Sequence, residues 1–77
     1  MKEKTVSHIV TMLMENIGEK RACLRMIAGE LEQALDDGNR DEVKSIKSVE
    51  RRVRAALRED EEALDDIIEV LTEEGRS

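Results

Sequence analysis

Apolar residues recur every three or four positions through almost the whole chain, and one short polar break divides this pattern into two halves. The first half of the series is Val6, Val10, Leu13, Ile17, Leu24, Ile27, Leu31 and Ala34. The second half is Val43, Ile46, Val53, Leu57, Leu64, Ile67 and Leu71. This spacing is typical of one face of an α-helix, whereas strands alternate with a period of two. The chain also lacks proline, which would interrupt a helix. The sequence therefore predicts an all-α fold with two long helices.

The break between the two halves lies at residues 36–39, which read Asp-Asp-Gly-Asn. Gly38 suits the left-handed residue that ends many helices, and Asn39 suits the N-cap of the next helix. Glu42, three residues after Asn39, would complete an arrangement similar to a capping box. Because so short a connection makes the helices antiparallel neighbours, we predict a helical hairpin.

The whole chain, 1–77, is then one domain. We place helix 1 at about 5–37, the turn at 36–40 and helix 2 at about 40–74. Thr5 and Ser7 are the candidate N-caps of helix 1. Gly18 is its weak point, since glycine costs roughly 1 kcal/mol relative to alanine inside a helix. A break there would give three helices, but the apolar spacing continues in phase through Gly18 and favours an unbroken helix.

The apolar surface of each predicted helix is wider than one helix–helix contact covers. In helix 1 the seam is flanked by Ile9, Met14, Cys23, Ala28 and Leu35, and in helix 2 by Val49, Ala56, Ala63 and Val70. With 77 residues and one cysteine, the chain has a small core and no internal disulfide. We therefore expect a coiled-coil-like hairpin that dimerises into a four-helix bundle, as a homodimer or higher homo-oligomer. A protein partner that supplies the missing helices is the alternative.

Charge is distributed unevenly along helix 2. Residues 40–58 contain seven bases and three acids, whereas residues 59–74 contain nine acids and no base. This order opposes the helix dipole, which favours acids near the N-terminus. An antiparallel second copy of helix 2, crossing near residues 58–59, would place each basic half against an acidic half. The candidate partner-binding residues are Lys44, Lys47, Arg51, Arg54, Arg58, Glu61 and Asp65.

Lys20 and Asp60 are polar interruptions of the two apolar seams. Folding the hairpin about Gly38 places residue 20 within one helical turn of residues 57–60, so we predict a Lys20–Asp60 pair. Such a pair between helices is expected to fix register and orientation, and no further groups nearby indicate catalysis.

The residues that catalysis or metal binding would need are absent or isolated. His8 is the only histidine, and Glu-x-x-His, the motif of ferritin-like metal sites, does not occur. Cys23 is expected to be a small buried apolar residue, and filling gaps in the core is the commoner use of methionines such as Met12, Met14 and Met26. No Gly-rich phosphate loop is present. We therefore expect no enzymatic activity, no metal and no cofactor.

The N-terminal apolar stretch at 6–14 contains Ser7, His8 and Thr11 and lacks a small-residue cleavage site, so it is not interpreted as a signal peptide. No run approaches the roughly 20 apolar residues of a membrane span. The sequence thus predicts a cytoplasmic protein with no membrane partner.

Two long amphipathic helices around the acidic-Gly-Asn turn at 36–39 broadly resemble flagellar and type III export chaperones. In architecture they also resemble small RNA-binding hairpin dimers. We predict a small non-enzymatic protein–protein interaction module: a homo-oligomeric helical adaptor, regulator or export-type chaperone. The alternative is a nucleic-acid-binding regulator that uses the basic stripe of helix 2. The net charge of −6 and the absence of aromatic residues make a nucleic acid the less favoured partner.

Overall fold

The computed structural model describes residues 3–76, with side chains for residues 5–73. Helix α1 spans Glu3–Asp36 and helix α2 spans Arg40–Arg76. The helices pack against each other as an antiparallel hairpin that measures 59 × 16 × 14 Å, and the described residues contain no strand. The predicted all-α hairpin is confirmed, and each predicted helix limit lies within two residues of the observed one.

Helix α1 is continuous, as predicted, and it passes through Gly18 without a break. The predicted caps were wrong, because α1 begins at Glu3 and both Thr5 and Ser7 lie inside it. Glutamate and lysine are good helix formers, so nothing at residues 3–4 ends the helix. The Thr11 hydroxyl instead donates to the Ser7 carbonyl oxygen at 2.9 Å, one turn back.

The turn ends α1 through a pair of backbone hydrogen bonds around Gly38. The Gly38 N–H donates to the Leu35 carbonyl at 3.2 Å, and the Asn39 N–H donates to the Ala34 carbonyl at 3.1 Å. This is the Schellman arrangement. It requires a left-handed backbone conformation at the residue that follows the end of the helix. Gly38 fills that position with φ of 69°. The predicted role of Gly38 is therefore confirmed.

Asn39 also begins α2. The Glu42 N–H donates to Asn39 Oδ1 at 3.2 Å, which is the N-cap bond that the sequence predicts. In an ordinary capping box the glutamate would accept from the backbone N–H of the cap. Here that N–H is bonded to Ala34, so Asn39 Nδ2 donates to Glu42 Oε2 instead, at 3.1 Å. Asn39 thus takes part both in the hydrogen bonds that end α1 and in the N-cap of α2, so the connection is short.

The core of the hairpin is a single seam between the helices. Among the described side chains only Ile17, Ile27 and Ala34 are buried, and all three belong to α1. The α2 seam residues Val53 and Leu57 are half-buried. The accessible surface is 6355 Å² for 8.8 kDa. A compact folded protein of that mass exposes about 4,800 Å². The predicted outcome, that wide apolar faces stay partly exposed in an isolated hairpin, is confirmed.

Two further expectations about packing were wrong. Cys23 is exposed rather than buried. Met12, Met14 and Met26 do not fill the core, since 48–70% of each remains accessible. Both errors have one physical cause: a helix with a single neighbour can cover only the side that faces it, so residues on the flanks of the seam stay open.

Candidate functional site

The predicted Lys20–Asp60 ion pair is present at the middle of the hairpin. Lys20 Nζ donates to Asp60 Oδ2, and the two side chains keep 29% and 21% of their surface accessible. The pair joins the midpoint of α1 to the corresponding level of α2 and so marks the antiparallel register. Because both groups are only partly covered, the pair is within reach of a molecule that docks on the side of the hairpin.

A second interhelical pair lies next to it and is more open. Arg21 and Glu61 approach to 3.8 Å, with 60% and 47% of their side chains accessible. A pair so exposed contributes about 0–1 kcal/mol. Successive residues point about 100° apart on a helix, so the two ion pairs lean toward different sides of the hairpin.

The side that holds Arg21 is here named the Gly18 face. A shallow groove on it is lined by Met14, Ile17, Gly18, Arg21, Glu61, Leu64 and Asp65. Met14, Ile17 and Leu64 give the groove apolar walls, and Arg21, Glu61 and Asp65 add charged groups to it. This face offers a mixed surface with three ionic groups at mid-length.

The opposite side is here named the Cys23 face. Its groove is lined by Glu19, Lys20, Cys23, Arg52, Val53 and Ala56. Residues seven apart on a helix point within about 20° of each other, so three further residues share the side of Ala56. They complete what we name the apolar row: Val49, Ala56, Ala63 and Val70. Val49 and Val70 are 50% and 53% exposed, and the two alanines are half-buried. The Cys23 face therefore carries an uncovered apolar strip along most of α2.

The predicted partner-binding residues form a third surface, here named the outer stripe: Lys44, Lys47, Arg51, Arg54, Arg58, Glu61 and Asp65. All seven are exposed. Part of the stripe surrounds a shallow groove lined by Arg54, Leu57, Arg58, Glu61, Glu62 and Asp65. Arg54 of the stripe lies 3.8 Å from Glu50, which is one turn earlier and outside the stripe. The structure thus brings these residues together on one strip of α2, in which five bases are followed by two acids.

The outer stripe and the apolar row lie on opposite sides of α2. From Lys47 to Asp65, every stripe residue is two positions before or after a member of the row, which is about 200° around the helix. The sequence pattern had pointed to both sets as contacts for another helix. A single antiparallel copy of α2 can contact one of them and not both.

The described residues bring no other chemistry together. Within residues 3–76 no cluster of three or more histidine, cysteine, aspartate or glutamate side chains could hold a metal ion. In the same range neither helix combines the length and the apolar content that crossing a membrane requires. What the hairpin presents is contact surface: an apolar row, a mixed face and a charged stripe.

Comparison with known proteins adds no information on function. No protein-family model, curated protein or solved structure matches the chain.

Proposed function

We propose that the protein is a small non-enzymatic protein–protein interaction module that self-associates and acts as a homo-oligomeric adaptor, regulator or export-type chaperone. One observation carries the proposal. Eight large apolar side chains are 40–70% exposed, while three described side chains are buried. The exposed set is Met12, Met14, Met26, Leu35, Val49, Ile68, Val70 and Leu71.

The amount of exposed surface supports the same proposal. The hairpin exposes about 1,500 Å² more than a compact protein of its mass. A standard protein–protein interface removes about 800 Å² from each partner. One such interface would cover about half of that excess, and a second hairpin has the matching length and shape.

The charge of the two halves of the hairpin favours a second copy in antiparallel orientation. The half next to the turn, residues 19–58, carries ten bases and eight acids, a net charge of +2. The open half, residues 3–18 and 59–76, carries two bases and eleven acids, a net charge of −9. Two hairpins packed in parallel would bring their acidic halves together. Packed antiparallel, each acidic half lies beside a weakly basic one.

Nucleic-acid binding through the outer stripe is less well supported. The stripe continues into Glu61 and Asp65, so a phosphate backbone that followed it would meet carboxylates. The chain also has no aromatic residue on which a base could stack. Binding of a nucleic acid that weakens steeply as salt rises would favour this alternative over the proposal.

The test of self-association is the solution mass over a range of concentrations. Light scattering with refractive-index detection is suitable, because the chain has no tryptophan or tyrosine to absorb in the near ultraviolet. We expect a mass of twice the chain's 8.8 kDa, or a higher multiple. A mass of one chain at every concentration would contradict the proposal that the protein works as a homo-oligomer.

A further inference from the structure

We propose that the Cys23 face is the surface on which a second copy of this chain docks, antiparallel, with the Lys20–Asp60 pair at the two-fold axis. This inference rests on the proposed self-association and names the surface that carries it. The occupant is a second copy rather than an unrelated helix, because rotation about that axis matches the apolar row with itself and brings Arg52 beside an acidic residue.

The symmetry is visible in the apolar row. In an antiparallel pair of identical helices, the numbers of two facing residues have a constant sum. An axis between residues 59 and 60 places Ala56 against Ala63 of the second copy, and Val49 against Val70 of the second copy. All four row positions then face another row position. The small side chains lie nearest the axis and allow a close approach, and the exposed valines lie farther out, where they cover each other.

The same axis passes at the level of the Lys20–Asp60 pair. Lys20 lines the groove of the Cys23 face, so its accessible part opens toward the docking copy. Two such pairs then lie at the same level of the dimer, one on each side of the axis. A polar layer enclosed by apolar neighbours favours one register and one orientation over others. The pair thus has a place in the dimer beyond its role within one hairpin.

A third feature lies at the rim of the face. In this register Arg52 faces residue 67 of the second copy, next to Asp66 of the second copy, and the symmetry forms this contact twice. The opposite charges attract. Glu59, nearest the axis, approaches its own copy and repels it, so its neutralisation should tighten the dimer.

The other two surfaces fit a second copy less well. A two-fold axis at the same level of the Gly18 face would bring Arg21 close to Arg21 of the second copy, and Glu61 close to Glu61 of the second copy. Both contacts join like charges, and both side chains are about half exposed to water. On the outer stripe Arg54 faces Asp65 and Arg58 faces Glu61, but Leu57 is the one apolar side chain of that groove. Exposed ion pairs alone stabilise little.

The first experiment compares two neighbouring alanines. Ala56→Arg places an unpaired guanidinium in the proposed interface, and Ala55→Arg places the same group at an exposed position of the same helix. We expect Ala56→Arg to raise the dissociation constant of the dimer on the order of 100-fold or more, and Ala55→Arg to change it less than about threefold. The measurement is sedimentation equilibrium, with circular dichroism to confirm that both variants stay helical.

The outcomes separate the inference from the proposed function. A wild-type monomer contradicts self-association itself. A wild-type dimer that survives in Ala56→Arg overturns the Cys23 face and leaves self-association standing. If reversal of Arg54 and Arg58 to glutamate dissociates such a dimer, the outer stripe is the interface. Conversely, Arg52→Glu should weaken the dimer, and adding Asp66→Arg should restore it.

A cross-linking experiment does not depend on the folding of an arginine variant. In a Cys23→Ser background, chains with Ala56→Cys are mixed with chains with Ala63→Cys and oxidised. We expect a mixed disulfide and little homodimeric product. The two copies of position 56 would lie about 10 Å apart along the length of the helices, too far for a disulfide. Preferential cross-linking between Arg54→Cys and Asp65→Cys chains, with none between the alanine positions, would overturn the inference.

Discussion

The two helices have nearly equal length but differ in how many side chains they bury and how many charges they carry. All the buried side chains of the described residues come from α1, and α2 buries none. Charge has the reverse distribution, with twenty charged residues in α2 and ten in α1. In this hairpin α1 therefore contributes most of the buried core, and α2 contributes most of the charged surface. Substitutions in the two helices should therefore affect different quantities.

The largest expected effect tests the interior. Ile27 is 7% exposed and Ile68 is 49% exposed, so they are a matched isoleucine pair from the two helices. Ile27→Ala should lower the free energy of unfolding by about 2–4 kcal/mol, because it removes buried apolar atoms and leaves a cavity. Ile68→Ala should lower it by less than about 1 kcal/mol. Urea denaturation followed by circular dichroism measures both.

The chain concentration must be the same in these measurements, since the proposed self-association would add to apparent stability. Equal losses at the two isoleucines would show that Ile68 is covered in solution. That result would erase the contrast between α1 and α2 and would point to a partner on the open end of the hairpin.

The second effect concerns the link between the helices. Lys20→Leu or Asp60→Leu alone leaves its partner charged and half-covered, and each should cost about 1–2 kcal/mol of unfolding free energy. The double variant should recover most of that loss, since two leucines pack where two charges were. A double-mutant cycle by urea denaturation gives the coupling. Additive losses would mean that the pair does not interact in solution.

The double variant also tests specificity. Without the polar layer at the proposed axis, nothing at the centre of the interface distinguishes one register from the next. We therefore expect its solution mass to become heterogeneous even though its stability recovers.

Local sequence chemistry predicts most of this fold. Gly38 and Asn39 have the residue types that the end of α1 and the start of α2 require, and both occupy the expected positions. The Lys20–Asp60 pair follows from the seam and from the position of the turn, because a three- or four-residue spacing and a tight connection leave one register. Each of these features depends on residues near in sequence or on a single interface.

What the sequence could not supply was the number of neighbours of each helix. Cys23 and the methionines are apolar residues at helical spacing, and such residues are buried only if another element covers them. Likewise, the apolar row and the outer stripe are both periodic. Their two-residue offset already sets them on opposite sides of the helix. Only the position of the seam shows that the row, through Ala56, borders the Cys23 groove, and this is why the proposed interface uses the row and not the stripe.

The smallest effects come from two glycines that differ in backbone conformation. Gly38 has φ of 69°, so Gly38→Ala forces a side chain into the left-handed region and should cost about 1 kcal/mol. A Cβ at Gly18 meets nothing within 4 Å, so Gly18→Ala should stabilise the hairpin by about 0.5–1 kcal/mol through better helix propensity. Gly18 also lies on the face that the proposed dimer leaves open. If Gly18→Ala raises the stability of α1 but leaves the dimer's dissociation constant unchanged, that side of the hairpin is free in solution. If the substitution weakens association instead, the Gly18 face is covered, and the second copy docks on the side opposite to the one that the apolar row indicates.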